Sequence, residues 1–126
     1  MTTNDLDSIF ESTFQQITEL SRSKGADYAS DADRLSNFKD QAAKLGLTPY
    51  QVWAVYANKH WDAINAFVRN NGQLESEPIE SRVHDILVYS ILLLGLIEDK
   101  KRVTKEKKWG LYDDHPIQHE ITEIPF

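Results

Sequence analysis

Lys59 and His60 stand in a helical pattern where apolar residues are expected. Each helical residue advances the side-chain direction by about 100°; with Lys59 as origin, Val52, Val55, Ala63 and Ala66 fall within about 40° of it. Gln51, Asn58, Asp62, Asn65 and Arg69 gather on the other side. The spacing therefore predicts Lys59 in the middle of the apolar face, with His60 in the same broad arc. A buried lone ammonium is costly and needs a carboxylate or an anionic ligand beside it. The plainer alternatives are a lysine that snorkels to water or a structural salt bridge.

A natural partner lies further along. Arg82, Asp85 and Tyr89 recur at spacings of three and four, so they share a helix face just before and within the apolar run ILVYSILLLGLI. Asp85 is the expected partner of Lys59. Glu77, Glu80 and His84 surround the start of the same helix, where free backbone N–H groups and the helix dipole favour phosphate. The two glutamates oppose an anion there unless a cation intervenes, and their plainer role is to cap the helix. A second cluster is Lys24, Asp27, Tyr28, Asp33, Arg34, Ser36, Asn37 and Phe38. In it Tyr28 and Phe38 could stack on a base, Asn37 could read a base edge, and Lys24 or Arg34 could meet phosphate. The alternative is a loop with ordinary turn and capping bonds. There is no Walker loop, no G-x-G-x-x-G and no H-E-x-x-H, and His60, His84, His115 and His119 form no recognisable ligand set.

Helices must position these groups, because strand patterns are almost absent. Helix 1 is expected over about Asp5–Ser23, with Leu6, Ile9, Phe10, Thr13, Phe14, Ile17 and Leu20 on one face and Gly25 as its left-handed cap. Gly25–Leu35 reads as a polar loop. Ser36 is the expected N-cap of a short helix closed by Gly46. Helix 3 has the clearest start: Thr48 as cap, Pro49 at the first helical position, Gln51 completing a capping box, and Leu47 with Val52 as a staple. It should end at Asn71-Gly72. Helix 4 should begin at Glu77-Pro78 and reach Lys101 or beyond. The expected fold is all-α, an antiparallel bundle of about four helices in one domain over 1–108, followed by an irregular tail over 109–126.

Composition narrows the function. The 126 residues contain no Cys, which excludes disulfides, thiolate metal sites and a cysteine nucleophile. Twenty acidic and fourteen basic residues give a net charge of −6, which argues against duplex nucleic acid as partner. A small anion remains accessible, since a few converging cations suffice locally. The basic run Lys100–Lys108 reads most simply as a solvated helix end. The opening MTTNDLDSIFES has neither a basic start nor an apolar core, so no signal peptide is expected. The apolar run Ile86–Ile97 is too short to span a bilayer, and the expected location is the cytoplasm. That run and an apolar tail exceed what three partner helices can cover, which predicts a homo-oligomer.

The residues also resemble a family. Lys24-Gly25-x-Asp27-Tyr28, then Asp33-Arg34-Leu35-Ser36-Asn37-Phe38, then Lys59-His60, then Ser76-Glu77-Pro78-Ile79-Glu80-x-Arg82-x-x-Asp85 with Tyr89, resemble the phage and bacterial nucleotide-modification-associated domain, type one. The resemblance covers about Lys24–Asp99. That family is distantly similar to the all-α MazG-like nucleoside triphosphate pyrophosphohydrolases, which implies a helical bundle, often oligomeric, with a nucleotide between helices. MazG-type enzymes hold magnesium with E-x-x-E on one helix and E-x-x-D on the next. Here the first stretch reads Asn58-Lys59-His60-Trp61-Asp62, and the second reads Arg82-x-x-Asp85. A cation stands where each helix should offer a ligand, and cations oppose a divalent ion but favour phosphate directly.

The expectation is thus a phage-type protein that binds a nucleotide or nucleotide-derived small molecule without metal-dependent hydrolysis and without a cofactor. In it Lys24, Arg34, Lys59 and Arg82 neutralise phosphate, Tyr28 and Phe38 stack, and Asp27, Asn37 and Asp85 orient polar groups. One version is an anti-defence protein that sequesters a nucleotide immune signal. The alternative is a MazG-like pyrophosphohydrolase, or an accessory enzyme of nucleotide or DNA-base modification, with Asp27, Glu77, Glu80 and Asp85 on magnesium. A third is a structural helical oligomer with no ligand.

Overall fold

The computed structural model describes residues 1–28, 33–73 and 78–108; for 26–28 and 107–108 it describes the backbone only. The described residues form four helices and no strand: α1 (Thr3–Tyr28), α2 (Ser36–Leu45), α3 (Pro49–Arg69) and α4 (Ile79–Lys108). The fold is all-α. The tail over 109–126 lies outside the described residues.

Local chemistry explains most helix ends. Gln51 N–H donates to Thr48 Oγ1 at 3.1 Å, and Thr48 N–H donates to Gln51 Oε1 at 2.9 Å, so the predicted capping box opens α3 with Pro49 in its first turn. Gly46 closes α2 at φ 68°, and Asn71 (φ 55°) and Gly72 (φ 82°) turn the chain out of α3 through the left-handed region. α1 has a box that the sequence reading passed over. Asp5 N–H donates to Thr2 Oγ1 at 3.1 Å and Thr2 N–H to Asp5 Oδ2 at 2.8 Å, which moves the start back to Thr3.

Three expectations about ends are corrected. Gly25 is not a left-handed cap, because α1 continues through it to Tyr28. A Cβ at this position would meet the Arg34 guanidinium, which would have to swing aside. Ser36 is the first residue of α2 and not its cap; Leu35 holds the cap position without a side-chain bond. Asp33 takes over that role, its Oδ1 accepting from Leu35 N–H at 2.9 Å and its carbonyl accepting from Ser36 N–H at 3.2 Å. α4 starts at Ile79, after Pro78; Glu77 lies outside the described residues.

The helices pack α1 on α4, α2 on α3, and α3 on α4. α3 runs antiparallel to α4, since Trp53 meets Tyr89 while His60, seven residues on, meets Arg82 and Asp85. It also runs antiparallel to α2 across the tight turn at Gly46. By contrast, α1 and α2 follow α4 in its own direction at a near-constant offset: Lys24 at Asp85, Leu35 at Gly95, Lys39 at Asp99. Lys24 rather than Lys59 thus stands beside Asp85.

The core sits at one end of the α3–α4 seam. Phe38, Ala42, Val52 and Leu96 are buried together, with Leu35, Tyr50, Trp53, Tyr89 and Leu92 packed around them. Trp53 Nε1–H donates to the Tyr89 carbonyl at 2.7 Å, which satisfies the indole's polar atom on the second lone pair of a helical carbonyl. Lys39 holds Asp33 at 2.7 Å and Asp99 at 3.0 Å and so ties the start of α2 to α4.

Candidate functional site

The core face of α3 centres on His60. Val52, Ala57 and His60 are its buried residues, and Val55 is exposed. The face lies roughly 100°, one helical step, from the Lys59-centred face that the small apolar residues suggested. Trp53, His60 and Phe67 fix it because their bulk fills more of the seam than the valine and alanines do. Lys59 is therefore exposed, not buried, and it does not pair with Asp85. Among the described residues its ammonium makes no ion pair.

Asp85 is the pivot of the site. Its side chain is 13% exposed, with Oδ1 accepting from Lys24 Nζ at 2.9 Å and Oδ2 standing 3.4 Å from His60 Nδ1. Arg82 Nη1 lies 3.3 Å from the same His60 nitrogen. A guanidinium can only donate, so that contact requires a neutral ring with Nδ1 as acceptor. A bond from His60 Nδ1 to Asp85 requires the opposite, a protonated Nδ1. The two arrangements exclude each other. Burial lowers the His60 pKa; the Asp85 charge opposes this, and Arg82, Lys59 and Lys24 add to it. The neutral ring is favoured, its tautomer deciding whether Nδ1 accepts from Arg82 or donates to Asp85, and Tyr89 packs its ring 5.2 Å from the imidazole.

Two open clefts flank this cluster and share Lys24, Lys59 and His60 on their walls. The first, about 800 Å³, lies between α1 and the start of α4, where Arg82, His84 and Asp85 join the three shared residues. Glu19 is its second carboxylate among the described residues. The other, about 500 Å³, lies between the end of α1, α2 and α3. Lys24, Arg34 and Lys59 line it, together with the amides of Asn37 and Gln41 and the rings of Tyr56 and Tyr89, and among the described residues no carboxylate does.

The geometry sorts the expected residues. Lys24, Arg34, Asn37, Lys59, His60, Arg82, Asp85 and Tyr89 are brought to one or both clefts. Phe38 touches the second cleft but is 1% exposed, so it is a core residue with no face to offer a ligand. The exposed ring beside it on the cleft wall is Tyr56, whose ring centroid lies 6.3 Å from that of Phe38. Sequence reading missed it, although Tyr56 lies three residues before Lys59, on the same side of α3. Asp33 is occupied by Lys39 and the α2 start, away from both clefts. Glu80 is exposed and lines neither cleft. Asp27 and Tyr28 belong to α1 rather than to a loop, and their side chains lie outside the described residues, as does Glu77.

No cluster of three His, Asp or Glu side chains suited to a metal ion occurs among the described residues. No described helix is long and apolar enough to cross a membrane. Compared with known proteins, the chain matches no family model, no curated protein and no solved structure.

Proposed function

We propose that the protein binds a phosphorylated nucleotide or nucleotide-derived small molecule in the paired clefts and does not hydrolyse it. The observation that carries this reading is the lining of the second cleft: among the described residues, three cations and no carboxylate, in a chain of net charge −6. Lys24, Lys59 and Arg34 supply charge for phosphate oxygens, with Arg34 offering paired donors. The Tyr56 and Tyr89 rings offer apolar faces for a base, and the Asn37 and Gln41 amides carry both donors and acceptors for its edge. This is the balance of apolar wall and few convergent polar groups that small-molecule sites use.

The resemblance of Lys24–Asp99 to the nucleotide-modification-associated domain supports the same ligand class. Asp85 is the described carboxylate at the centre of the cluster, and Lys24 and His60 face it, an environment that opposes a divalent cation. A cytoplasmic protein that holds a nucleotide without turnover acts by lowering its free concentration, and sequestration of a nucleotide immune signal is the role this reading gives it in a phage.

Calorimetric titration with ADP, ATP and pyrophosphate tests the reading. Binding of at least one is expected to survive EDTA and to weaken as salt rises, because open charged clefts are screened over about 8–10 Å. Magnesium-dependent release of pyrophosphate or phosphate, abolished by Asp85→Asn, would establish the hydrolase instead. Absence of any heat with all three, and with small molecules extracted from phage-infected cells, would leave a structural protein.

A further inference from the structure

Among the described residues, the first half of α1 leaves its large apolar side chains uncovered. Ile17 is buried on the face that packs toward α4, and the same face continues outward as Phe14, Phe10, Ile9 and Leu6, all between 46% and 58% exposed. Because α1 runs in the direction of α4 with Lys24 level with Asp85, the segment before Ile17 projects past Ile79, where α4 begins. It is an amphipathic arm of about four turns with Phe10 and Phe14 in mutual ring contact at 6.4 Å. Its charged side chains are Asp5, Asp7 and Glu11, with no Lys or Arg.

At the opposite end of the molecule α4 presents the complementary surface. Ile91, Leu94 and Ile97 are exposed on the side turned away from the Asp85–Tyr89–Leu96 face, and the same line of residues continues through Glu98, which pairs with Arg102 at 3.5 Å, into the exposed Lys101 and Lys105. Leu6–Phe14 spans roughly 12 Å and Leu94–Lys105 roughly 16 Å, so the two surfaces match in length as well as in character.

We infer that the acidic arm of α1 docks on the basic outer end of α4 in a second copy of this chain, and that reciprocal exchange closes the assembly. Charge selects this occupant over the others available. Arm against arm brings Asp5, Asp7 and Glu11 against their own copies. The chain's own tail over 109–126 is also acidic, with Asp113, Asp114, Glu120 and Glu123, and repels the arm. The Lys101–Lys105 segment attracts it, and the apolar stripes on both sides supply the contact area that charge alone lacks. The inference is independent of the ligand reading, since neither surface includes a residue of the clefts.

Sedimentation of the full chain tests it with a pair of charge reversals. The wild-type protein is expected to self-associate at micromolar concentration. Asp7→Lys with Glu11→Lys, and separately Lys101→Glu with Lys105→Glu, should each weaken self-association by about tenfold or more while helical circular dichroism is retained. An equimolar mixture of the two variants should restore it, because each arm then meets a stripe of opposite sign in both directions. Phe10→Glu should abolish association in the wild-type background and in the mixture. A monomeric wild-type chain, association indifferent to both reversals, or a mixture no tighter than its components would overturn the inference.

Discussion

The α3–α4 seam has two ends built on different principles. At the Val52–Leu96 end, apolar side chains close around Phe38, and the buried indole N–H of Trp53 is answered by a carbonyl. At the His60–Asp85 end, cations, a carboxylate and a ring nitrogen share a partly buried space in which one ring nitrogen cannot serve both of its neighbours at once. The first end makes the fold cohere. The second carries a conflict that packing alone would not retain, and it opens onto the clefts. The contrast predicts that stability resides at one end and binding at the other.

Phe38→Ala is the strongest way to break that division. Removing a fully buried aromatic leaves a cavity between α2, α3 and α4 and should cost about 3–5 kcal/mol by chemical denaturation. A loss below about 1 kcal/mol would show that the Val52–Leu96 end does not hold the fold.

Asp85→Ala comes next. It strands Lys24 and leaves His60 beside cations only, but Lys24 is 45% exposed and water can reach its ammonium. The loss should be about 1.5–3 kcal/mol, within the range for hydrogen bonds to charged groups. A loss matching that of Phe38→Ala would mean that the polar end is as structural as the apolar one.

How much of this was legible beforehand depended on the range of the forces involved. The α3 capping box, the Gly46 turn and the Asn71-Gly72 exit are local: a few residues and one backbone conformation decide them, and the sequence displays them. His60, Arg82, Asp85 and Tyr89 were legible as polar residues beside or within apolar stretches, and Lys24, Arg34 and Asn37 as members of a chemically dense cluster after helix 1. Their pairing was not. Lys59 lost Asp85 to Lys24 because α1 lies along α4 at a fixed offset, a tertiary fact with no local signal. The rotation of the α3 core face toward His60 followed from the bulk of Trp53 and Phe67, which a count of apolar positions weighs no more than alanine. Gly25 misled for a related reason: it provides room for Arg34, which comes from the other side of a turn.

The pH dependence sharpens the comparison with a smaller effect. Burial holds the folded His60 pKa below its ordinary value near 6.5, so the folded state favours the neutral ring. As pH falls through about 6.5, the unfolded chain takes up this proton before the folded one does, and stability falls. The loss levels off below the folded pKa, and above neutrality the group contributes no slope. His60→Gln keeps an acceptor for Arg82 but cannot titrate. Its stability should fall less than that of the wild type as pH is lowered from 7.5 to 5.5. Parallel profiles would show that His60 accepts its proton in the folded state without penalty.

Lys59→Met has the smallest effect on the fold and the sharpest consequence for function. The Lys59 side chain is exposed and its ammonium bonds no described group, so its removal should change unfolding stability by no more than about 0.5 kcal/mol. Lys59 nonetheless stands where the two clefts meet. An ammonium without a partner among the described residues is available to a phosphate at little cost in broken bonds, whereas Lys24 must share itself with Asp85. Loss of a charge-assisted contact is worth about 1.5–3 kcal/mol, so affinity for the tightest-binding nucleotide should fall roughly tenfold to a hundredfold. Salt dependence should flatten at the same time, because one of the screened charges is gone. Calorimetry on the variant beside a thermal melt separates the two quantities. Unchanged affinity with unchanged stability would place the phosphate away from the junction of the clefts, nearer Arg34 or Arg82.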